Sequence, residues 1–255
     1  MLKHRVIPAL LLRNHGLVKT TQFKDPKYVG DPINVIKIFN EKEVDELMLL
    51  DITASKECRE PNYKVIEQIA GECFMPLAYG GGIRNLAQAR HLFSLGVEKI
   101  CLQTAVLENT NFIRELINEF GSQSVMVSLD VKKNWLGRPK LYHSISGKLM
   151  DAAWVDILLE LVLAGAGEVL LNAVDKDGTL TGPDLSLIKQ ASAAVDVPLI
   201  ALGGVSSLAD IKACVVAGAS AVAAGAFFIY HGPHRAVLVT YPKYKVLEKL
   251  FEGSI

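Results

Sequence analysis

The chain repeats itself at half its length, and this constrains its fold more than any other feature. LAYGGGI (77–83) returns as IALGGVS (200–206), which sets Gly80 and Gly203 123 residues apart. DELMLLDITAS (45–55) returns as GEVLLNAVDKD (167–177) at an offset of 121 or 122, and VIPALLL (6–12) returns as VMVSLDV (125–131) at 119. So constant an offset in 255 residues means two similar halves, about 1–122 and 123–255. Neither half can cover its own sheet edges, so the two are expected to close on each other as a single domain.

Each half supplies four short apolar runs. They are RVIPALLL (5–12), DELMLLDI (45–52), MPLAYGG (75–81) and EKICLQT (98–104), then SVMVSLD (124–130), GEVLLNA (167–173), VPLIALGG (197–204) and ASAVAAG (219–225). Amphipathic stretches such as LAQARHLFSLG (86–96), WVDILLELVLAGA (154–166) and LADIKACVVAGA (208–219) lie between them. Near-continuous apolar strands, each followed by a helix, predict an α/β protein of the (β/α)8 TIM-barrel type. An open doubly wound sheet is the alternative.

Composition removes several classes of function. Lys plus Arg and Asp plus Glu both number 27, so neither nucleic acid nor an anionic membrane is an expected partner. No apolar run reaches the roughly 18 residues of a membrane span, and MLKHRVIP leads into a strand rather than a signal peptide. A cytoplasmic location is expected. Cys58, Cys73, Cys101 and Cys214 are scattered and read as buried free thiols rather than disulfides or metal ligands. No histidine has metal-ligand spacing, HGPHR (231–235) reads as a surface turn, and no metal or cofactor is expected.

In a barrel, chemistry gathers at the C-terminal ends of the strands. Here those ends read Leu11, Asp51, Gly80-Gly81-Gly82, Gln103-Thr104, Asp130, Asn172, Gly203-Gly204 and Gly225-Ala226. Glycines opening a helix let backbone amides approach an anion, so the third and seventh strand ends read as phosphate cradles. Thr104-Ala105 and Gly225-Ala226 complete them. Two cradles on symmetric halves imply an elongated ligand with a phosphate at each end. Asp130 is a candidate general acid or base. VDKDGTLTG (174–182) brings Asp177 and Gly178 toward the second cradle. GLVKTTQFKDPKYVGDP (16–32) is a long loop of the kind that forms lids, and its Lys19 can reach a phosphate. At the other barrel end Arg5, Glu46, Lys99 and Glu168 read as alternating charges, one from every other strand, able to ring the bottom opening with salt bridges.

These residues carry a resemblance. GDP (30–32), DELMLLDITAS, GGGIRNL, QTAV (103–106), FGSQSVMVSLDVKK (120–133), GAGEVLLNAVDKDGTLTG (165–182) and GGV (203–205) are similar to the cyclase subunit of imidazole glycerol phosphate synthase, the HisF family, over essentially the whole chain. That resemblance implies a barrel that receives ammonia from a glutaminase partner (HisH-like) at its bottom. At the top the family joins ammonia to a doubly phosphorylated ribulosyl-aminoimidazole compound, yielding imidazole glycerol phosphate and aminoimidazole carboxamide ribotide. It implies that Asp130 is one of two catalytic aspartates and Lys19 a lid residue acting beside it. Gly81, Gly82 and Thr104 would hold one phosphate, and Asp177, Gly178, Gly204, Gly225 and Ala226 the other. Arg5, Glu46, Lys99 and Glu168 would form the gate at the ammonia entrance.

The departures lie at the chemical end. Where the family has C-L-D-V after its first strand, with its other catalytic aspartate, this chain has Ala9-Leu10-Leu11-Leu12. Losing a positioned acid or base typically costs about 10²–10⁴-fold in rate. Gln103 replaces an asparagine, Thr20 a glycine and Asn172 a small hydroxyl residue. VIPALLLRNHGLVKTTQFKDPKYVGDP and HGPHRAVLVTYP resemble the second copies of this subunit found beside surface-polysaccharide genes. That resemblance implies an ammonia conduit and glutaminase activator that serves a separate sugar amidotransferase, as in O-antigen synthesis. A histidine-pathway cyclase that tolerates Leu11, and an unrelated phosphosugar isomerase, are the alternatives.

Overall fold

The computed structural model describes residues 4–252. Met1-Leu2-Lys3, at the start of the MLKHRVIP stretch, and the last three residues lie outside them. The strands are β1 Arg5–Arg13, β2 Gly16–Thr21, β3 Lys24–Gly30, β4 Leu47–Asp51, β5 Leu77–Gly80, β6 Lys99–Leu102 and β7 Val125–Lys133. They continue as β8 Pro139–His143, β9 Lys148–Leu149, β10 Glu168–Ala173, β11 Leu199–Leu202, β12 Ala221–Ala224, β13 Tyr230–His231 and β14 Ala236–Val237. The helices are α1 Pro32–Glu41, α2 Tyr63–Glu72, α3 Leu86–Ser94, α4 Thr104–Glu108, α5 Asn111–Phe120, α6 Trp154–Leu163, α7 Leu185–Ala194, α8 Leu208–Val216, α9 Ala226–Ile229 and α10 Tyr244–Phe251.

Eight strands pair in parallel in the order β1, β4, β5, β6, β7, β10, β11, β12, and β12 returns to β1. The sheet therefore closes and has no edge to protect, which makes the fold a (β/α)8 barrel. Burial on both faces explains the unbroken apolar runs: every residue of β10 and β12 is buried. Outward side chains such as Leu49, Tyr79, Val127 and Leu171 pack against the helices. Inward ones form a second cluster of Ile7, Ala9, Met48, Ala78, Cys101, Met126, Leu170, Ile200, Ala221 and Ala223.

The repeat is visible in backbone detail. Asn85 caps α3 and Ser207 caps α8, each side chain accepting an amide three residues on. The sequence match of Gly80 with Gly203 is off by one. Gly81 and Gly203 are the pair that adopt φ +121° and +106°, followed by Gly82 and Gly204 at +75° and +90°. A Cβ on Gly81 would meet the Asp51 carbonyl at 2.4 Å, and one on Gly203 would meet that of Ala173 at 2.7 Å. Close approach to the neighbouring strand end requires glycine at these two positions, one residue later than sequence similarity alone places the first.

Residues 16–32 are not an irregular loop. β2 folds back antiparallel on β1, pairing Leu11 with Val18 and Leu12 with Leu17, and β3 pairs with β2. The two-residue turn Asn14-His15 puts Asn14 at φ +57°, a conformation asparagine tolerates. β7 and β8 form the corresponding hairpin of the second half, pairing Val131 with Leu141. The Asp31 side chain accepts from the Asn34 amide and Pro32 opens α1, which accounts for the GDP motif.

Of the cysteines, Cys101 and Cys214 are buried, Cys73 is half-buried and Cys58 is exposed, and all four are free thiols. Burial of all four was expected. The exception is Cys58, which lies at φ +51° in the exposed loop after β4. HGPHR forms the exposed turn between β13 and β14, and Arg235 donates to the Gly178 and Thr179 carbonyls at 3.3 and 3.1 Å.

Candidate active site

The C-terminal mouth of the barrel opens into a cavity of about 200 Å³. Lys19, Gly81, Gly82, Thr104, Asp130, Asp177, Gly178, Gly204, Gly225 and Ala226 all line it. Ten of the fourteen residues singled out from sequence thus meet at one place, and the other four meet at the opposite end. Gly82 and Thr104 lie on the first-half side, where Gly82 N–H donates to the Ser55 hydroxyl at 3.2 Å. Gly204, Gly225 and Ala226 lie on the second-half side. Small residues and helix starts here bring the backbone itself to the cavity wall.

The first hairpin closes over the second-half side. The Asp177 carboxylate accepts from the Thr20 hydroxyl at 2.9 Å and from the Phe23 amide at 3.4 Å, and the Gln22 amide donates to the Asp177 carbonyl at 2.9 Å. Asp177 thus serves as a clasp between two loops. Burial raises its pKa, opposed by the Thr20 hydrogen bond and the Lys19 charge. Lys19 is only 4% exposed. Its ammonium donates to the Ala9 carbonyl and lies 2.3 Å from where a Cβ of Gly225 would sit, so the lysine occupies the eighth-strand cradle. Burial pushes it down to about 8, against the pull of Asp177. Phe23 of the first hairpin meets Tyr142 of the second, with ring centroids 5.9 Å apart.

Gly178 bears the weight of this closure. It sits at φ +66°, and a Cβ there would lie 2.0 Å from the Thr20 carbonyl. Gly178→Ala is expected to unseat the hairpin and lower stability by about 1–3 kcal/mol. Thermal melting, with limited tryptic cleavage after Lys24 and Lys27, checks it. An unchanged midpoint and an unchanged cleavage pattern would show that this contact does not hold the hairpin in place.

Asp130 ends the inward row of β7. Its carboxylate accepts from the Gln103 amide at 2.6 Å and from the Asn172 amide at 3.1 Å, and the Ser144 hydroxyl donates to the Gln103 carbonyl at 2.7 Å. Burial pushes the Asp130 carboxyl up to about 6, against these two amide donors. It can therefore take or give a proton near neutral pH. The Asn172 carbonyl oxygen beside it is buried without a partner among the described residues. Leu11 is the half-barrel mate of Asp130: Leu11 pairs with Leu50 as Asp130 pairs with Asn172. Both line the cavity, one with a carboxyl and the other with an isobutyl group.

At the barrel bottom, Arg5 bonds to both Glu46 and Glu168. Lys99 reaches the same two carboxylates, Glu46 at 3.3 Å and Glu168 at 2.9 Å. The ring is closed, but it does not take one charge from every other strand. Glu46 precedes β4, and Lys99 and Glu168 open β6 and β10, the second, fourth and sixth barrel strands. The eighth would supply Ala221, whose methyl group cannot reach the ring. Arg5 of the first strand, paired in register with Ala221, reaches into the vacant space instead.

Ser55, Lys56, Ser128 and Ser144 line the same cavity and were not singled out from sequence. A signal for two of them existed. The 122-residue offset superposes Ser55 and Lys56 on Asp177 and Gly178, so the repeat marks both loops. Ser144 carries no such mark, because the β7–β8 hairpin brings it over Gln103.

Fold and site together define a two-fold repeated (β/α)8 barrel with a cavity at its glycine-lined mouth and a charged ring at its base. Residues 5–234 match the histidine biosynthesis protein family. The chain is 49% identical over 253 residues to the "Putative imidazole glycerol phosphate synthase subunit hisF2" of Pseudomonas aeruginosa, covering 97% of this chain and 99% of that one. It is 46% identical over 257 residues to a HisF protein of Leptospira borgpetersenii with a similarly worded name, covering 98% and 100%. It is 36% identical over 232 residues to the imidazole glycerol phosphate synthase subunit HisF of Alkaliphilus metalliredigens, covering 91% and 92%. The chain belongs to the histidine biosynthesis protein family and, within it, to the HisF subunits of imidazole glycerol phosphate synthase.

Proposed function

We propose that this HisF subunit is the ammonia-conducting half of a glutamine amidotransferase system, with a glutaminase docked at its charged base and a separate sugar amidotransferase as the consumer of the ammonia. The observation that carries this reading is Leu11. It replaces a proton-transferring group at the mouth, while the ring of Arg5, Glu46, Lys99 and Glu168 is complete. Between ring and mouth the barrel interior is lined by apolar side chains and small residues. Neutral ammonia can cross such a lining, whereas burying the ammonium ion unpaired is far costlier. The fixed charges of Arg5 and Lys99 in the closed ring would repel ammonium. In this reading the mouth keeps its phosphate cradles and Asp130 without completing ring closure.

Cyclase activity of its own is the second reading, and Lys19 favours it. A buried ammonium with its pKa near 8, in the same cavity as Asp130, is a candidate for the acid or base that Leu11 cannot be.

Purified protein supplied with an ammonium salt and the ribulosyl-aminoimidazole bisphosphate separates the two. The conduit reading expects bound substrate and no loss of it above a heat-killed control, for the chain as it is and for Leu11→Asp. It also expects a HisH-like glutaminase to be stimulated on mixing. Turnover by the unaltered chain would make it a cyclase, and turnover only in Leu11→Asp would reveal a dormant one.

A further inference from the structure

The two half-barrel hairpins differ at their turns. Arg13 pairs with Gly16 in the first, leaving Asn14 and His15 between the strands, whereas Lys133 pairs with Pro139 in the second and leaves residues 134–138. The longer turn is ordered: the Asn134 side chain accepts the amides of Leu136 and Arg138 at 3.0 and 2.9 Å, and the Asn134 amide donates to the Arg138 carbonyl at 2.9 Å. What it displays is Trp135, 90% exposed, and Leu136, 53% exposed. A tryptophan held out in water on a fixed turn contributes nothing to the core, and such side chains are favoured anchors of protein interfaces.

Charge adds a second, independent observation. The chain is neutral overall, yet residues 131–150 carry Lys132, Lys133, Arg138, Lys140 and Lys148 and no carboxylate. Lys133 is bound to Asp184, but Arg138 and Lys148 make no ion pair among the described residues. The same hairpin continues into Ser144 and Ile145, which line the cavity, so the patch adjoins the mouth.

We infer that the β7–β8 turn is a docking finger for an acidic protein surface, that of the enzyme which takes ammonia from the mouth. This rests on the conduit reading. An occupant of this rim must bring a reactive centre to the opening, which a lipid surface would instead cover with hydrocarbon. Trp135 enters an apolar pocket on that enzyme, and Arg138 and Lys148 face its carboxylates.

The test installs the photo-crosslinker p-benzoylphenylalanine in place of Trp135 in the full chain, expressed with its glutaminase in the organism's own cells, and identifies the adduct by mass spectrometry. The expected adduct is an enzyme that transfers nitrogen to its own substrate. With that enzyme, the glutaminase and this chain reconstituted, Trp135→Ser and Arg138→Glu should each cut glutamine-driven amidation about tenfold or more. Amidation driven by ammonium salt and stimulation of the glutaminase should both persist, which shows that the variants are folded. Adducts only with copies of this chain, or none, would overturn the inference. So would Trp135-dependent binding to vesicles of equal parts phosphatidylglycerol and phosphatidylcholine. Failure of the conduit reading registers separately, as turnover in the ammonium assay.

Discussion

Arg5→Ala is expected to destabilise the protein by about 3–5 kcal/mol, the loss typical of removing one partner from a buried ion pair. Arg5 bonds to Glu46 and Glu168, whose side chains are only 4% and 7% exposed. Without the guanidinium, two carboxylates share Lys99 alone in a setting that water barely reaches. Arg5 is itself 29% exposed, which places the loss toward the lower end of that range. The arrangement also makes a non-additive prediction. Adding Glu168→Ala to Arg5→Ala removes the surplus carboxylate and should recover part of the loss, so the double variant should be more stable than the sum of the singles implies. Urea denaturation of the four proteins gives the comparison. If Arg5→Ala costs less than about 1 kcal/mol, the ring behaves as a solvated surface network.

The second large effect concerns Asp130 and has the opposite sign. Its folded-state pKa of about 6 lies above the ordinary value of 3.8, because burial disfavours the charged form. The folded protein therefore holds this proton more tightly than the unfolded chain does. The group's favourable contribution is fully present below pH 3.8 and is lost as pH rises toward 6. At pH 7 and above, folding retains an ionised carboxylate against its preference, at a cost on the order of 3 kcal/mol. Asp130→Asn should thus stabilise the protein at neutral and alkaline pH by up to that amount, with the gain shrinking toward zero in acid. The replacement has a hydrogen-bonding route: the Asn172 side chain can turn its unpartnered carbonyl oxygen toward the new amide. Melting curves across pH follow the difference. A variant that is less stable at every pH would mean that the Gln103 and Asn172 donors outweigh the burial of the charge.

The two effects divide the barrel by its chemistry. At the base, two partly exposed cations compensate two carboxylates that water barely reaches. The mouth stores unfavourable electrostatics: a buried carboxyl raised, a buried lysine lowered, and an amide oxygen without a donor. Unfavourable electrostatics of this kind are common at functional sites. Leu11, the half-barrel mate of Asp130, adds no second carboxyl to this cavity.

Much of this was legible in the order of the residues. Eight apolar runs and a repeat near 122 residues determined the closed barrel, because strands buried on both faces admit few polar side chains and half a barrel cannot cover its own edges. The positions of Asp130, Lys19, the glycine cradles and the four ring residues followed from strand ends and resemblance. Tertiary structure decided the rest. That residues 16–32 form a hairpin rather than an open loop depends on pairing with β1, which local sequence does not encode. The shift from Gly80 to Gly81 depends on how closely the chain passes the Asp51 carbonyl. Asp177 became a clasp because Thr20 and Phe23 reach it from 150 or more residues away in the chain. Arg5 joined the ring from the first strand because Ala221 beside it leaves room. Sequence periodicity determines which face of an element is buried. Which partner a buried polar group finds there depends on distances between segments far apart in the chain, and only the folded barrel sets those.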